Sequence, residues 1–140
     1  KSVAVMTTPR RVNIERKSTM RKWVLAVASI AAMPAAAMAG DAEAGKAVFN
    51  KCKACHQIGA GAKNAVGPHL DGVVGRKAGT AEGFNYSDAM KASGITWDEA
   101  NLQAWLTDPK AKVAGTKMVF AGLKDQKDRD DVIEYLKTAK

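Results

Sequence analysis

Cys52 and Cys55 stand three positions apart, and His56 follows the second cysteine directly, in the run KCKACHQIGA from 51 to 60. Thiols and imidazoles are nucleophiles and metal ligands, and this spacing brings two sulfurs and one ring into about one turn of chain. Such a group serves as a disulfide, a dithiol redox pair, part of a zinc site or a point of covalent haem attachment. The surrounding sequence has to distinguish these uses.

Two of the four uses find little support in the sequence. A thioredoxin-like redox pair needs a strand that leads into the motif and a βαβ context, and no such pattern is visible. A zinc site needs four ligands, and residues 40–140 offer only the motif and His69. Because Cys55 and His56 are adjacent, closing a tetrahedron with them is awkward.

Covalent haem attachment is the use that the C-x-x-C-H pattern favours. Two thiols one helical turn apart can add to the two vinyl groups on one edge of a porphyrin. The next residue, His56, then lies beneath the ring, where its imidazole can bind the iron. The motif would thus fix the macrocycle and one axial ligand together.

A second axial ligand has few candidates, namely Met90, Met118 and His69. Met118 ends the flexible stretch AGTKM, which follows the break at Pro109 and is well separated from His56. Met90 lies on a short amphipathic segment, where methionine is ordinarily core filler. We therefore favour Met118 as the ligand and core packing for Met90.

The positive charge of the chain is concentrated at its start. Of the formal net charge of +8 over 140 residues, residues 1–39 carry +6 and the remaining 101 residues only +2. The sequence MRK at 20–22, an apolar run to Met33 and the ending AMA at 37–39 form the pattern of a secretory signal peptide. Because Pro34 interrupts the apolar stretch, it falls short of the roughly 20 residues that span a bilayer.

We therefore predict an upstream segment at 1–19 outside the fold, a cleaved signal peptide at 20–39, and one domain at 40–140 that is exported to the periplasm. Cleavage is expected between Ala39 and Gly40. No nucleic acid binding and no stable membrane insertion after cleavage are expected. Export to an oxidising compartment also keeps a Cys52–Cys55 disulfide as an alternative.

The periodicity of residues 40–140 predicts an all-α fold with three main helices and a short one. The main helices are expected over about 42–54 behind an Asp41 cap, from a Thr96–Glu99 capping box to the residue before Pro109, and behind an Asp125 cap at the C-terminus. The short helix is expected over 87–92.

Gly45 would let the two terminal helices cross closely. Between them lie 30 residues, 57–86, with seven glycines and little periodicity, which is typical of a loop wrapped around a large cofactor.

With these motifs the sequence resembles class I, mitochondrial-type cytochrome c, including bacterial periplasmic relatives. The resemblance covers all of 40–140 and rests on the following stretches: Gly45-Lys46-x-x-Phe49, Val66-Gly67-Pro68, Gly75-Arg76-Lys77, Tyr86-Ser87-Asp88-Ala89, Ile95-x-Trp97, Gly115-Thr116-Lys117-Met118 and Tyr135-Leu136-Lys137. It implies a small cytochrome c fold around one covalently bound haem c.

The resemblance also implies roles for individual residues. Cys52 and Cys55 would hold the haem, and His56 and Met118 would be its axial ligands. The Pro68 carbonyl would accept the other His56 N–H. Partners for the haem propionates would be Arg76, Tyr86, Trp97 and Thr116.

Four positions depart from the family's pattern. Lys112 and Ala114 replace a tyrosine and a proline in the loop before the methionine, Trp105 replaces a tyrosine, and Met90 replaces an asparagine. These departures affect the usual distal hydrogen-bond network and the stiffness of the Met118 loop.

Filled axial positions imply a diffusing one-electron carrier rather than an enzyme. Two stretches, 46–63 and 110–124, each carry four lysines and no acid, which suits a monomer that docks on acidic faces of redox proteins. The resemblance implies a cytochrome bc complex as donor and a terminal oxidase or photosynthetic reaction centre as acceptor. The alternative is a peroxidase-type haem enzyme or gas sensor with an open sixth position.

Overall fold

The structure, a computed structural model, describes residues 39–140. The predicted upstream segment at 1–19 and the signal peptide, apart from residue 39, lie outside this range. Within residues 39–140 there are five helices: α1 (Ala42–Phe49), α2 (Asp88–Ala92), α3 (Glu99–Thr107), α4 (Pro109–Lys112) and α5 (Gln126–Thr138). In this range the only β-pairing is an isolated antiparallel bridge between Lys77 and Thr96, which confirms the all-α prediction. None of these helices has the length and apolar character needed to cross a bilayer.

Helix α1 begins where predicted but ends earlier. The Asp41 carboxylate accepts hydrogen bonds from the backbone N–H groups of Glu43 and Ala44 and so caps the first turn. The prediction of helix to residue 54 was wrong, because after Phe49 the chain tightens into i→i+3 turns, with the Cys52 N–H 2.8 Å from the Phe49 carbonyl oxygen. The cysteine motif therefore lies in a series of turns that follows the helix.

The predicted crossing of the terminal helices is confirmed. A Cβ atom at Gly45 would overlap the backbone carbonyl of Asp131, so the backbones of α1 and α5 approach as closely as only glycine allows. The rings of Phe49 and Tyr135 pack beside this crossing with centroids 5.4 Å apart. The contact holds the end of α1, and hence the cysteine motif, against α5.

The structure corrects the start of the third predicted helix and confirms that this helix stops before Pro109. Helix α3 begins at Glu99, behind an Asp98 cap that accepts the Asn101 N–H at 2.8 Å, because Thr96 is engaged in the bridge to Lys77. No Thr96–Glu99 capping box forms. Leu102, Trp105 and Leu106 face the core as predicted. Pro109 does not only end α3; at N1 it also begins the unpredicted helix α4, whose cap is Asp108.

The remaining predictions of local structure are confirmed. Helix α2 follows its Ser87 cap and ends at Ala92, with Ser93 as its C-cap before Gly94 with φ +65°. Residues 57–86 are irregular, yet Val73, Ala78 and Ala81 of this loop are buried. The loop thus closes one side of a core that the terminal helices and α3 form on the other side.

One buried charge lies at the crossing of α1 and α5. Asp131 is 3% exposed; its side chain accepts the Asp41 N–H at 2.8 Å and a Lys127 ammonium hydrogen at 2.7 Å. The hydrogen bond from the Asp41 backbone, followed by that from Lys127, lowers the pKa of the Asp131 carboxyl. The ionised carboxylate therefore joins the start of α1 to α5.

We predict that Gly45→Ala destabilises the protein by about 1–3 kcal/mol, because the added methyl group overlaps the Asp131 carbonyl. Helix propensity alone predicts the opposite sign, a gain of about 1 kcal/mol. Denaturant unfolding of the holoprotein measures the difference. An increase in stability would contradict the close crossing.

We also predict that the stability of the Asp131→Asn variant falls less steeply than that of the parent protein as the pH is lowered into the acid range. A carboxyl whose pKa is depressed by folding stabilises the fold above its unfolded pKa of about 4, and this contribution disappears as the pH falls through the folded pKa. Urea midpoints at neutral pH and through the range below about pH 4 measure it. The variant should be less stable at neutral pH and approach the parent protein in acid; parallel curves would contradict the prediction.

Candidate haem-binding site

A cavity of ≈ 370 Å³ lies inside the fold, between the end of α1, the 57–86 loop, α3 and α5, and its wall is mainly apolar. The structure brings every site residue named from the sequence to this one cavity. They are Cys52, Cys55, His56, Pro68, Arg76, Tyr86, Trp97, Thr116 and Met118. These residues come from six separate stretches of chain, so it is the fold that assembles the site.

Cys52 and Cys55 both line the cavity and are not bonded to each other. The turn that holds them is closed by hydrogen bonds from the N–H groups of Cys55 and His56 to the Cys52 carbonyl oxygen, at 3.1 and 2.9 Å. Burial raises the pKa of the Cys52 thiol, although the nearby Lys51 ammonium opposes the shift. Two accessible thiols therefore face one mostly apolar space.

The His56 ring is held in one orientation. Its Nδ1 lies 2.7 Å from the Pro68 carbonyl oxygen, which accepts the Nδ1–H and leaves the Nε2 lone pair free. Burial lowers the pKa of His56, while the Pro68 hydrogen bond opposes that shift, so the neutral, ligating form is favoured. A Cβ at Gly67 would overlap the imidazole, which explains glycine before Pro68.

The segment that presents the Pro68 carbonyl is itself tied down. The Gly67 N–H donates to the Cys55 carbonyl at 2.7 Å, and the Leu70 N–H donates to the Gln57 carbonyl at 3.0 Å. Asn64 adds a bridge, because its Oδ1 accepts the His69 N–H at 3.0 Å and its Nδ2 donates to the Glu82 carbonyl at 2.8 Å. Sequence analysis missed Asn64, since a polar residue in a glycine-rich loop carries no local sign of such a bridge.

The polar side chains that line the cavity include the four proposed propionate partners, Arg76, Tyr86, Trp97 and Thr116. Arg76 donates from Nη1 and Nη2 to the carbonyls of Asp71 and His69, and the Tyr86 oxygen accepts the Ala81 N–H. Thr116 Oγ1 accepts the Met118 N–H at 3.2 Å. Within residues 39–140, each of the four retains an N–H or O–H that donates to no other residue.

Two large side chains of the cavity wall are almost fully buried. Met90 and Trp105 line the cavity and are only 6% and 8% exposed, and the Trp105 ring packs on Trp97 with centroids 5.2 Å apart. These are two of the positions that depart from the resembled family. Of the other two, Lys112 donates to Asn101 Oδ1 at 2.7 Å and Ala114 is exposed.

The residues present fit a haem. A flat apolar ring needs an apolar cavity, two thiols at one edge, a neutral imidazole with a free Nε2, and polar donors for its acidic groups, and the cavity contains each of these. The competing uses of the motif fit less well. The described part of the chain has no strand for a thioredoxin-like pair and no cluster of three or more His, Cys, Asp or Glu side chains for a metal ion.

Comparison with known proteins agrees with a haem-binding role for this cavity. Residues 42–140 match the family model described as "Cytochrome c". The chain is 62% identical over 97 residues to "Cytochrome c-550" of Nitrobacter winogradskyi, which covers 69% of the chain and 89% of that protein. It is 54% identical over 118 residues to "Cytochrome c2" of Blastochloris viridis, or 84% of the chain and 93% of that protein.

A solved structure, "cytochrome cH from Methylobacterium extorquens", superposes with a TM-score of 0.67 at 60% identity and covers 71% of this chain and 99% of its own. Sequence and fold therefore agree over nearly all of the described residues. The chain belongs to the class I bacterial cytochromes c, electron carriers that hold one covalently bound haem c.

Proposed function

We propose that this cytochrome is a periplasmic carrier without catalytic activity, with Cys52 and Cys55 as the thioether attachment sites and His56 and Met118 as the two axial ligands. The observation that carries the proposal is that His56, with its Nδ1–H already donated to Pro68, and Met118, 62 positions later, line the same cavity. When bound, the haem supplies a one-electron change between ferric and ferrous iron.

The two proposed ligands explain why the site carries electrons and performs no catalysis. Histidine with a methionine thioether favours the reduced iron and raises the reduction potential. Because both axial positions would be filled by the chain itself, no substrate could reach the metal. The Pro68 hydrogen bond fixes the orientation of the His56 ring and makes Nε2 a stronger electron-pair donor to a metal. The ring would therefore need little rearrangement when the iron changes its oxidation state.

The unused donors of Arg76, Tyr86, Trp97 and Thr116 support their assignment to the haem propionates. A carboxylate inside an apolar cavity is costly unless hydrogen-bond donors surround it. These four side chains provide such donors in the wall of the same cavity. The hydrogen bonds described above orient the side chains of Arg76, Tyr86 and Thr116.

The charge distribution supports docking on acidic partner surfaces. Six exposed lysines of the two basic stretches form no ion pair with any residue of 39–140, namely Lys46, Lys53, Lys63, Lys110, Lys117 and Lys124. Lys117 and the exposed Val66 and Val119 line the cavity, so positive charge and a small apolar surface lie together at its edge. We propose a cytochrome bc complex as donor and a terminal oxidase or photosynthetic reaction centre as acceptor.

We predict that the reduced parent holoprotein does not bind carbon monoxide, whereas the reduced Met118→Ala variant binds it rapidly, because the substitution removes the sixth ligand. The reduction potential should fall as well. The matched control is Met90→Leu, which removes the other thioether of the cavity wall and should leave carbon monoxide without effect. Rapid carbon monoxide binding by the parent protein would instead support an enzyme or sensor with an open site.

We predict that Lys117→Glu slows the reaction with an isolated oxidase or reaction centre by about tenfold at low salt, since charge reversal at the cavity edge opposes electrostatic steering. The difference should shrink as salt is added. Lys140→Glu, an equal charge change at a residue that does not line the cavity, is the control and should have a much smaller effect. Equal slowing by both variants would contradict a local docking site.

A further inference from the structure

The loop that carries Met118 is weakly held along its own length. From Lys117 to Gly122 the backbone makes one hydrogen bond with the rest of residues 39–140, from the Met118 N–H to Thr116 Oγ1 at 3.2 Å. Val119, next to Met118, is 93% exposed. The position of the methionine therefore depends on the anchors at the two ends of this segment.

The downstream anchor consists of Leu123 and Lys124. The Leu123 side chain is buried, and its N–H donates to the Leu106 carbonyl at 2.6 Å. The Lys124 ammonium donates to the Thr107 carbonyl at 2.9 Å. A Cβ at Gly122 would overlap that same Thr107 carbonyl, so the loop passes directly over the end of α3.

Arg129 of α5 closes this anchor from the other side. Its Nη1 donates to the carbonyls of both Leu123 and Lys124, at 2.7 and 2.9 Å. Its Nε donates to Gln103 Oε1 on α3 at 2.9 Å, and Gln103 Nε2 donates to Asp130 Oδ1 at 2.5 Å. One guanidinium group thus links the end of the loop to α3 and α5, and the planar fork of arginine suits this set of acceptors.

We propose that Arg129, oriented by Gln103, is a positioning residue for the sulfur of Met118. By holding the carbonyls of Leu123 and Lys124, it limits how far the weakly bonded 117–122 segment can move away from the cavity. Neither Arg129 nor Gln103 lines the cavity, so both act through the loop. The inference rests on the proposed ligation by Met118.

The test measures uptake of imidazole by the ferric holoprotein, because an external ligand can bind only when the Met118 loop opens. Arg129→Gln should speed uptake by about tenfold or more, which is the effect expected for losing hydrogen bonds from a charged donor. Arg129→Lys keeps one cationic donor and should give an intermediate rate. Gln103→Ala should also speed imidazole uptake, by a smaller factor. It provides a second variant if Arg129→Gln folds poorly.

Asp131→Asn is the matched control, because it weakens α5 at the α1 crossing without touching the loop. It should lower overall stability and leave imidazole uptake unchanged. If the Arg129 and Gln103 variants bind imidazole no faster than this control, the positioning role is wrong. If Met118→Ala opens the site while the Arg129 variants do not, only this inference fails; if Met118→Ala changes neither spectrum nor uptake, the proposed ligation fails first.

Discussion

The structure depends on the direct contact between the backbones of α1 and α5. Gly45 has no Cβ to hold the helices apart, and the buried Asp131 carboxylate receives the first N–H group at the start of α1. Phe49, the last residue of α1, is 1% exposed against this contact, and Cys52 follows only three residues later. A site built on one turn of chain is thereby placed directly after the close contact between α1 and α5.

The two sides of the site are held in opposite ways. The segment around His56 and Pro68 is fixed by many short hydrogen bonds, including the Asn64 bridge, so the imidazole has one orientation. The Met118 segment has almost no hydrogen bonds of its own and is held at its ends. This difference is physically sensible if the histidine must hold the cofactor permanently, whereas a thioether is a weaker ligand whose retention the surrounding chain controls.

Sequence analysis predicted the parts of this molecule that depend on local chemistry. Caps such as Asp41 and Asp125, and the Cys52–His56 motif, are readable because each acts on residues within one turn. Sequence analysis did not predict where α1 ends, because the tight turns after Phe49 decide it. It also did not predict the start of α3, which depends on the Lys77–Thr96 bridge, or helix α4, which begins at Pro109. The roles of Asn64 and Arg129 rest on partners 18 and 26 positions away, which no local pattern indicates.

The departures at Met90 and Trp105 change the polar groups of the cavity wall. Both side chains are buried in the wall; a thioether stands where the resembled family has an amide, and an indole stands where it has a phenol hydroxyl. Ferric iron carries one more positive charge than ferrous iron, and an apolar wall stabilises that extra charge less than polar groups do. The proposed ligation by histidine and methionine would favour the reduced state, and the wall would act in the same direction. With that ligation a polar network in the wall would not be needed to keep the potential high, and the loop anchors would be left to hold Met118 in place.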